Sequence, residues 1–149
     1  MKIQSAFRDV LLQARATSDY SNLTELLPYA KKIGMRCQSL GDDALFVLPE
    51  NKGNTGNPVL PALHGGVLGG FMEMSAAIHL MLFMDEPKIP KIVDFSIDYL
   101  RSSRIQDVFA ECRVVRQGSR IANVSITAWQ SRRETPVATA RGHFRLDSY

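Results

Sequence analysis

Residues 61–83 read PALHGGVLGGFMEMSAAIHLMLF, and this stretch constrains the fold more than any other. Its length and composition predict an α-helix of about five turns that opens after His64-Gly65-Gly66. Apolar residues fall on every face, so such a helix must be covered on most sides. One acid, Glu73, interrupts the run. Burial disfavours an ionised carboxylate, so the Glu73 pKa is expected to rise, and charged groups are seldom buried without a purpose or a partner. Val67 to Met84 is also about long enough to cross a bilayer. Glu73, His79, the glycines at 69 and 70 and the strand-rich surroundings instead favour a core helix, with no membrane partner.

Beyond the helix the hydrophobic period changes to two, the mark of half-buried strands. From Lys91 onward Val93, Phe95, Ile97 and Tyr99 share one face, with Asp94, Ser96 and Asp98 on the other. Val108, Ala110, Cys112 and Val114 follow, and after the turn RQGSR come Ala122, Val124, Ile126 and Ala128. Past SRRET the inward set is Ala138, Ala140, Gly142, Phe144 and Leu146. Four strands thus offer apolar faces, often lined by small residues, and one long helix is available to cover them. The solution is an α+β fold, a single antiparallel sheet curled around a central helix.

Upstream, Ile3 to Ala16 carries Phe7, Val10 and Leu11 at helical spacing, and Asn22 to Lys32 reads as a second helical stretch weakened in its middle by Pro28. Ile33–Ser39 and Ala44–Leu48 read as strands joined at LGDD, and PENKGNTGNPVLP at 49–61 as an irregular loop. The expected organisation is one domain over 1–149, with 1–32 as an N-terminal helical extension.

A composition of 45% hydrophobic and 22% charged residues argues against a disordered chain. The net charge is +3, with arginines concentrated in the C-terminal half, which suits a phosphate-bearing ligand or simply solvated strand faces. Basic residues are not interleaved with aromatics in an RNA-binding pattern, so no nucleic-acid partner is expected. Cys37 and Cys112 lie in strand-like sequence outside any CxxC or Cys/His cluster, so no metal site is expected. The start lacks an apolar signal segment, which points to the cytoplasm and free thiols.

The order of these elements, with LHGG opening the central helix, resembles the hotdog fold, and more narrowly the acyl-CoA thioesterases of the phenylacetate-pathway (PaaI-like) type. The most specific motif is His64-Gly65-Gly66 with an acid nine residues after the histidine, Glu73; IDYLRSSR and RQGSR also match the family. The resemblance implies that Glu73 is the catalytic carboxylate, either a nucleophile or a base for water. It implies that the Gly66 N–H donates to the thioester oxygen and that His64 positions or polarises that carbonyl. Family members often carry a polar residue six before the motif histidine; Pro58 stands there, with Asn57 adjacent to take the role. Some use Ser or Thr four residues after the acid, where this chain has Ala77. The implied reaction hydrolyses an acyl- or aryl-CoA to free acid and CoA, with coenzyme A entering only as part of the substrate.

The residues suit that chemistry. Thioester hydrolysis builds charge on the carbonyl oxygen, and a helix start offers unpaired N–H groups and a partial positive charge, with Gly65 and Gly66 admitting close approach. Gly66 and Glu73 fall on nearly the same helix face but roughly 10 Å apart along the axis, so two antiparallel copies are needed to bring both to one carbonyl. A homodimer, and a dimer of dimers beyond it, is the expectation. Phe71 and Met72, with Met74 and the 51–60 loop, are expected pocket walls, while Arg101, Arg104, Arg116 and Arg120 are candidates for the CoA phosphates. His79 reads as a core or capping residue. Two other readings remain: a hotdog hydroxyacyl-thioester dehydratase and a non-catalytic acyl-CoA-binding protein.

Overall fold

Small inward residues let the central helix lie close against the sheet. Ala110, Ala122, Ala128, Ala138 and Ala140 are all buried at that contact. In the computed structural model the described residues are 2–146, with side chains from residue 5; Ile3 lies outside the described side chains. Helix α1 (Lys2–Thr17) and the short α2 (Pro28–Ile33) precede strands β1 (Arg36–Leu40) and β2 (Asp43–Leu48). A small hairpin, β3 (Thr55–Asn57) with β4 (Ala62–Leu63), leads into the central helix α3 (Gly65–Phe83). Strands β5 (Lys91–Tyr99), β6 (Val108–Gln117), β7 (Ile121–Trp129) and β8 (Ala138–Arg145) complete the chain.

Six strands form one antiparallel sheet in the order β1-β2-β6-β7-β8-β5. The inward residues of β6, β7 and β8 are those expected from the alternation, and Phe46, Phe71, Phe144 and Ile126 fill the space between sheet and helix. By length and composition α3 could cross a membrane, but 56% of its apolar stretch is buried within the fold. Its C-terminal turn has no basic residue of its own. Arg15 of α1 supplies one instead, donating to the carbonyl oxygens of Met84 at 2.6 Å and Met81 at 3.4 Å.

The upstream elements differ from expectation in two places. Pro28 does not weaken one helix; it starts α2 as the first helical residue, and Leu27 before it is extended, as a residue preceding proline tends to be. Thr24–Leu26 is therefore a separate 3₁₀ turn. Residues 49–61 are not wholly irregular. Asn51 accepts from the Gly53 amide at 2.8 Å to cap a 3₁₀ turn over Lys52–Asn54, and Asn57 accepts from the amides of Val59 and Leu60 to close the β3–β4 turn.

Strand β5 is one of the two sheet edges, with β1 the other, and this changes its faces. Phe95, Ile97 and Tyr99 alternate along one face as expected, standing opposite Gly142, Ala140 and Ala138. Val93 does not join them: a register shift between Ile92 and Asp94 turns it outward, 61% exposed.

Candidate active site

His64 is the N-cap of α3, extended at φ −64°, ψ 123°, and its Nδ1 accepts from the Gly66 amide at 2.9 Å. An accepting ring nitrogen is unprotonated, so the proton of this imidazole is on Nε2, which is left as a donor. The Gly65 amide has no hydrogen-bond partner among the described residues. The β3–β4 hairpin seats this start: the His64 amide donates to Asn54 O at 2.8 Å, and a Cβ on Gly56 would meet His64 Cα at 2.6 Å. Only glycine fits there. Buried Asn54 also donates from Nδ2 to Ile33 O, tying the hairpin to the end of α2.

The opposite side of the start is held by Tyr99, whose hydroxyl donates to Gly65 O at 2.6 Å. Nothing in the local sequence pattern marks this contact.

Glu73 is half-buried, and burial pushes its carboxyl above the ordinary value. It belongs to a partly exposed stripe of α3 that includes Gly66, Gly69, Gly70, Glu73 and Ala77 at helical spacing, with Tyr99 and Ile97 of β5 beside Gly69. The helix start and the acid therefore face the same way. Phe71 and Met72 correct the expected pocket: both are fully buried in the core, on sides of the helix turned away from Glu73, and neither reaches the stripe. Asn57 is exposed and its side-chain oxygen is spent on the turn at Val59 and Leu60.

The four candidate arginines divide into two groups at opposite ends of the sheet. Arg101 lies just past β5, donates to Pro136 O at 2.7 Å, and lines a concavity of about 340 Å³ with Gly65, Leu68, Tyr99 and Ser103. Arg104 is close by, its backbone bridged to Ala62 and bonded to Gln130. Arg116 and Arg120 line a concavity of about 410 Å³ at the β6–β7 turn with Asn123 and His143. The register places that turn beside the Lys91 end of the sheet, not the Tyr99 end. Neither concavity includes Glu73.

Other reactive groups are shut away. Burial pushes the Cys37 thiol up to about 12 and raises Cys112 well above its usual range, so neither is a thiolate nucleophile near neutrality. Among the described residues no group of three or more His, Cys, Asp or Glu side chains is placed to hold a metal. His79 is buried under Phe83, ring centroids 4.7 Å apart.

A six-stranded antiparallel sheet curled on a long central helix, with the helix start and an acid on one face of that helix, defines a hotdog protein. Residues 60–137 match the thioesterase superfamily, and the chain belongs to it. Among solved structures, a protein from Chromobacterium violaceum is 42% identical, covering 94% of this chain and 98% of its own, with a TM-score of 0.76. A phenylacetic acid degradation-related protein from Ralstonia eutropha is 18% identical over 80% of this chain and 90% of its own, TM-score 0.71. A Bacillus halodurans protein solved with CoA is 18% identical over 99% of this chain and 93% of its own, also at TM-score 0.71. At that identity the last two share the fold. No curated protein sequence matches the chain.

Proposed function

We propose that this chain hydrolyses an acyl- or aryl-CoA thioester, in the manner of the phenylacetate-pathway type, with Glu73 as base or nucleophile. The observation that carries the reading is Glu73 itself: a carboxyl raised by burial, on the partly exposed stripe of α3 that also holds the open helix start. A raised carboxylate is a stronger base, suited to taking a proton from water. With water as the attacking group, Glu73 accepts its proton as the new C–O bond forms. The oxyanion is received by helix-start N–H groups, Gly65 directly and Gly66 once His64 yields its bond. Collapse expels the CoA thiolate, which takes the proton from Glu73. The bound CoA of the Bacillus halodurans relative supports a CoA-type ligand for this fold.

The spacing of Gly66 and Glu73, roughly 10 Å along the helix, calls for a second copy. The free edge of β5, with exposed Ile92, Val93, Tyr99 and Leu100 at or beside it, supports pairing there. Antiparallel pairing of two β5 edges sets the Arg116–Arg120 corner of one copy toward the Arg101 end of the other, so both arginine groups can serve one nucleotide. A dimer of dimers is the fuller assembly we propose.

The test is thiol release from a panel of acyl- and aryl-CoA esters, with β-hydroxyacyl esters included to detect elimination. Glu73→Gln should lower kcat by on the order of 100-fold or more while binding is retained. Wild-type turnover in that variant, or elimination without thiol release, overturns the reading.

A further inference from the structure

A Cβ built on Gly70 would meet Tyr29 Oη at 2.5 Å, Cε1 at 2.6 Å and Cζ at 2.9 Å. The phenol end of Tyr29 therefore occupies the space that any other residue at 70 would fill with its own side chain. This accounts for a mid-helix glycine that costs about 1 kcal/mol relative to alanine. Gly70 stands one turn before Glu73, at the spacing where Cβ positions on a helix are about 5–6 Å apart. The Tyr29 hydroxyl thus lies against Gly70, one turn before Glu73 on the same helix face.

Tyr29 is 41% exposed, and its hydroxyl has no hydrogen-bond partner among the described residues. The helix that carries it is firmly placed: Ala30 and Ile33 are buried, Gly34 closes it at φ 76°, and Asn54 binds Ile33 O. Gly66, Gly69, Gly70 and Ala77 on the stripe carry no polar side chain, and the Tyr99 hydroxyl beside Gly69 donates its proton to Gly65 O. Ser75 is buried on another face, its hydroxyl donating to Phe71 O at 2.7 Å.

We propose that Tyr29 is a positioning residue that holds the attacking water beside Glu73. The water donates one O–H to the Glu73 carboxylate and the other to Tyr29 Oη, which fixes both hydrogens and leaves a lone pair facing the thioester carbonyl. On attack the first proton passes to Glu73 and the C–O bond forms. The phenol exchanges no proton. This assignment rests on the thioesterase reading above, with Glu73 acting as base.

The experiment compares Tyr29→Phe, Gly70→Ala, their combination and Glu73→Gln on the best thioester substrate. Tyr29→Phe should lower kcat about 10- to 100-fold with KM and melting temperature nearly unchanged. Gly70→Ala, which must push the phenol aside, should lower kcat comparably, and the double variant should lose little more. Wild-type kcat in Tyr29→Phe beside an inactive Glu73→Gln overturns the role of Tyr29 and leaves the thioesterase reading intact. A Tyr29→Phe effect confined to KM overturns it too, making the residue a contact for the acyl group. Full turnover in Glu73→Gln overturns the base reading, and this assignment with it.

Discussion

The Gly66 amide donates to His64 Nδ1 at 2.9 Å, so the residue that begins the motif also stoppers one of the helix-start donors. Replacing His64 separates the two functions of that contact. An asparagine in its place keeps a side-chain acceptor for the cap, whereas an alanine leaves the amide bare. His64→Ala should cost about 1 kcal/mol in urea unfolding, and His64→Asn should cost less than half of that. If the imidazole also orients the thioester through Nε2–H, both variants lose turnover although only one loses stability. Equal stability of the two would show that the cap contributes nothing.

Glu73 makes stability and activity depend on pH in opposite ways. Burial raises its carboxyl above the ordinary 4.5, so the folded state binds the proton more tightly than the unfolded state. Its contribution is most favourable below 4.5 and is lost as pH rises through the shifted value. Glu73→Gln should therefore melt higher than the parent at neutral pH, with the two curves converging in acid. The base must be ionised to act, so the acid limb of kcat should lie above 4.5. Parallel melting curves at all pH values would contradict the shift.

Much of this site is legible in the chain. Apolar residues at every second position of β6, β7 and β8, many of them small, announce a sheet that a helix can approach closely, and Glu73 in its apolar run announces an acid drawn out of water. A helical wheel also turns Phe71 and Met72 away from Glu73, so their place in the core follows from spacing alone. Other features depend on contacts that no local pattern encodes. Tyr29 reaches Gly70 only because α2 folds back over α3, and Val93 leaves its face only because the β5–β8 register slips by one residue. The Asn57 side chain could serve a ligand or a turn, and the choice is made by the positions of the Val59 and Leu60 amides.

Val93 tests the proposed pairing of two copies without touching Glu73 or the helix start. It is exposed on a sheet edge, and a lysine there opposes pairing with another strand. If two copies meet along β5, Val93→Lys should shift the chain toward monomer in sedimentation and lower kcat in proportion, while thermal unfolding of the monomer stays cooperative. Full dimer and full activity in this variant would place the contact between copies elsewhere.

His79 is the buried group whose titration should be felt by the whole fold. Its Nδ1 has no hydrogen bond, and Asp43 Oδ1 at 3.7 Å is too distant to supply one. Burial lowers the pKa below 6.5, with the Asp43 charge opposing the shift. The unfolded state then binds the proton more readily, so the contribution of His79 to stability is complete above 6.5 and is lost as pH falls through the lowered folded-state value. His79→Leu should flatten that part of the stability curve. It also removes an unsatisfied buried nitrogen, whose burial costs about 1–3 kcal/mol, so it should not destabilise the protein near neutrality. Asp43→Asn removes the opposing charge, depresses the imidazole further and should widen the sensitive range toward acid. Chemical denaturation of the three proteins across this range, with fluorescence of the single tryptophan as the signal, reads both effects. An unchanged pH dependence in His79→Leu would assign the acid sensitivity to other groups.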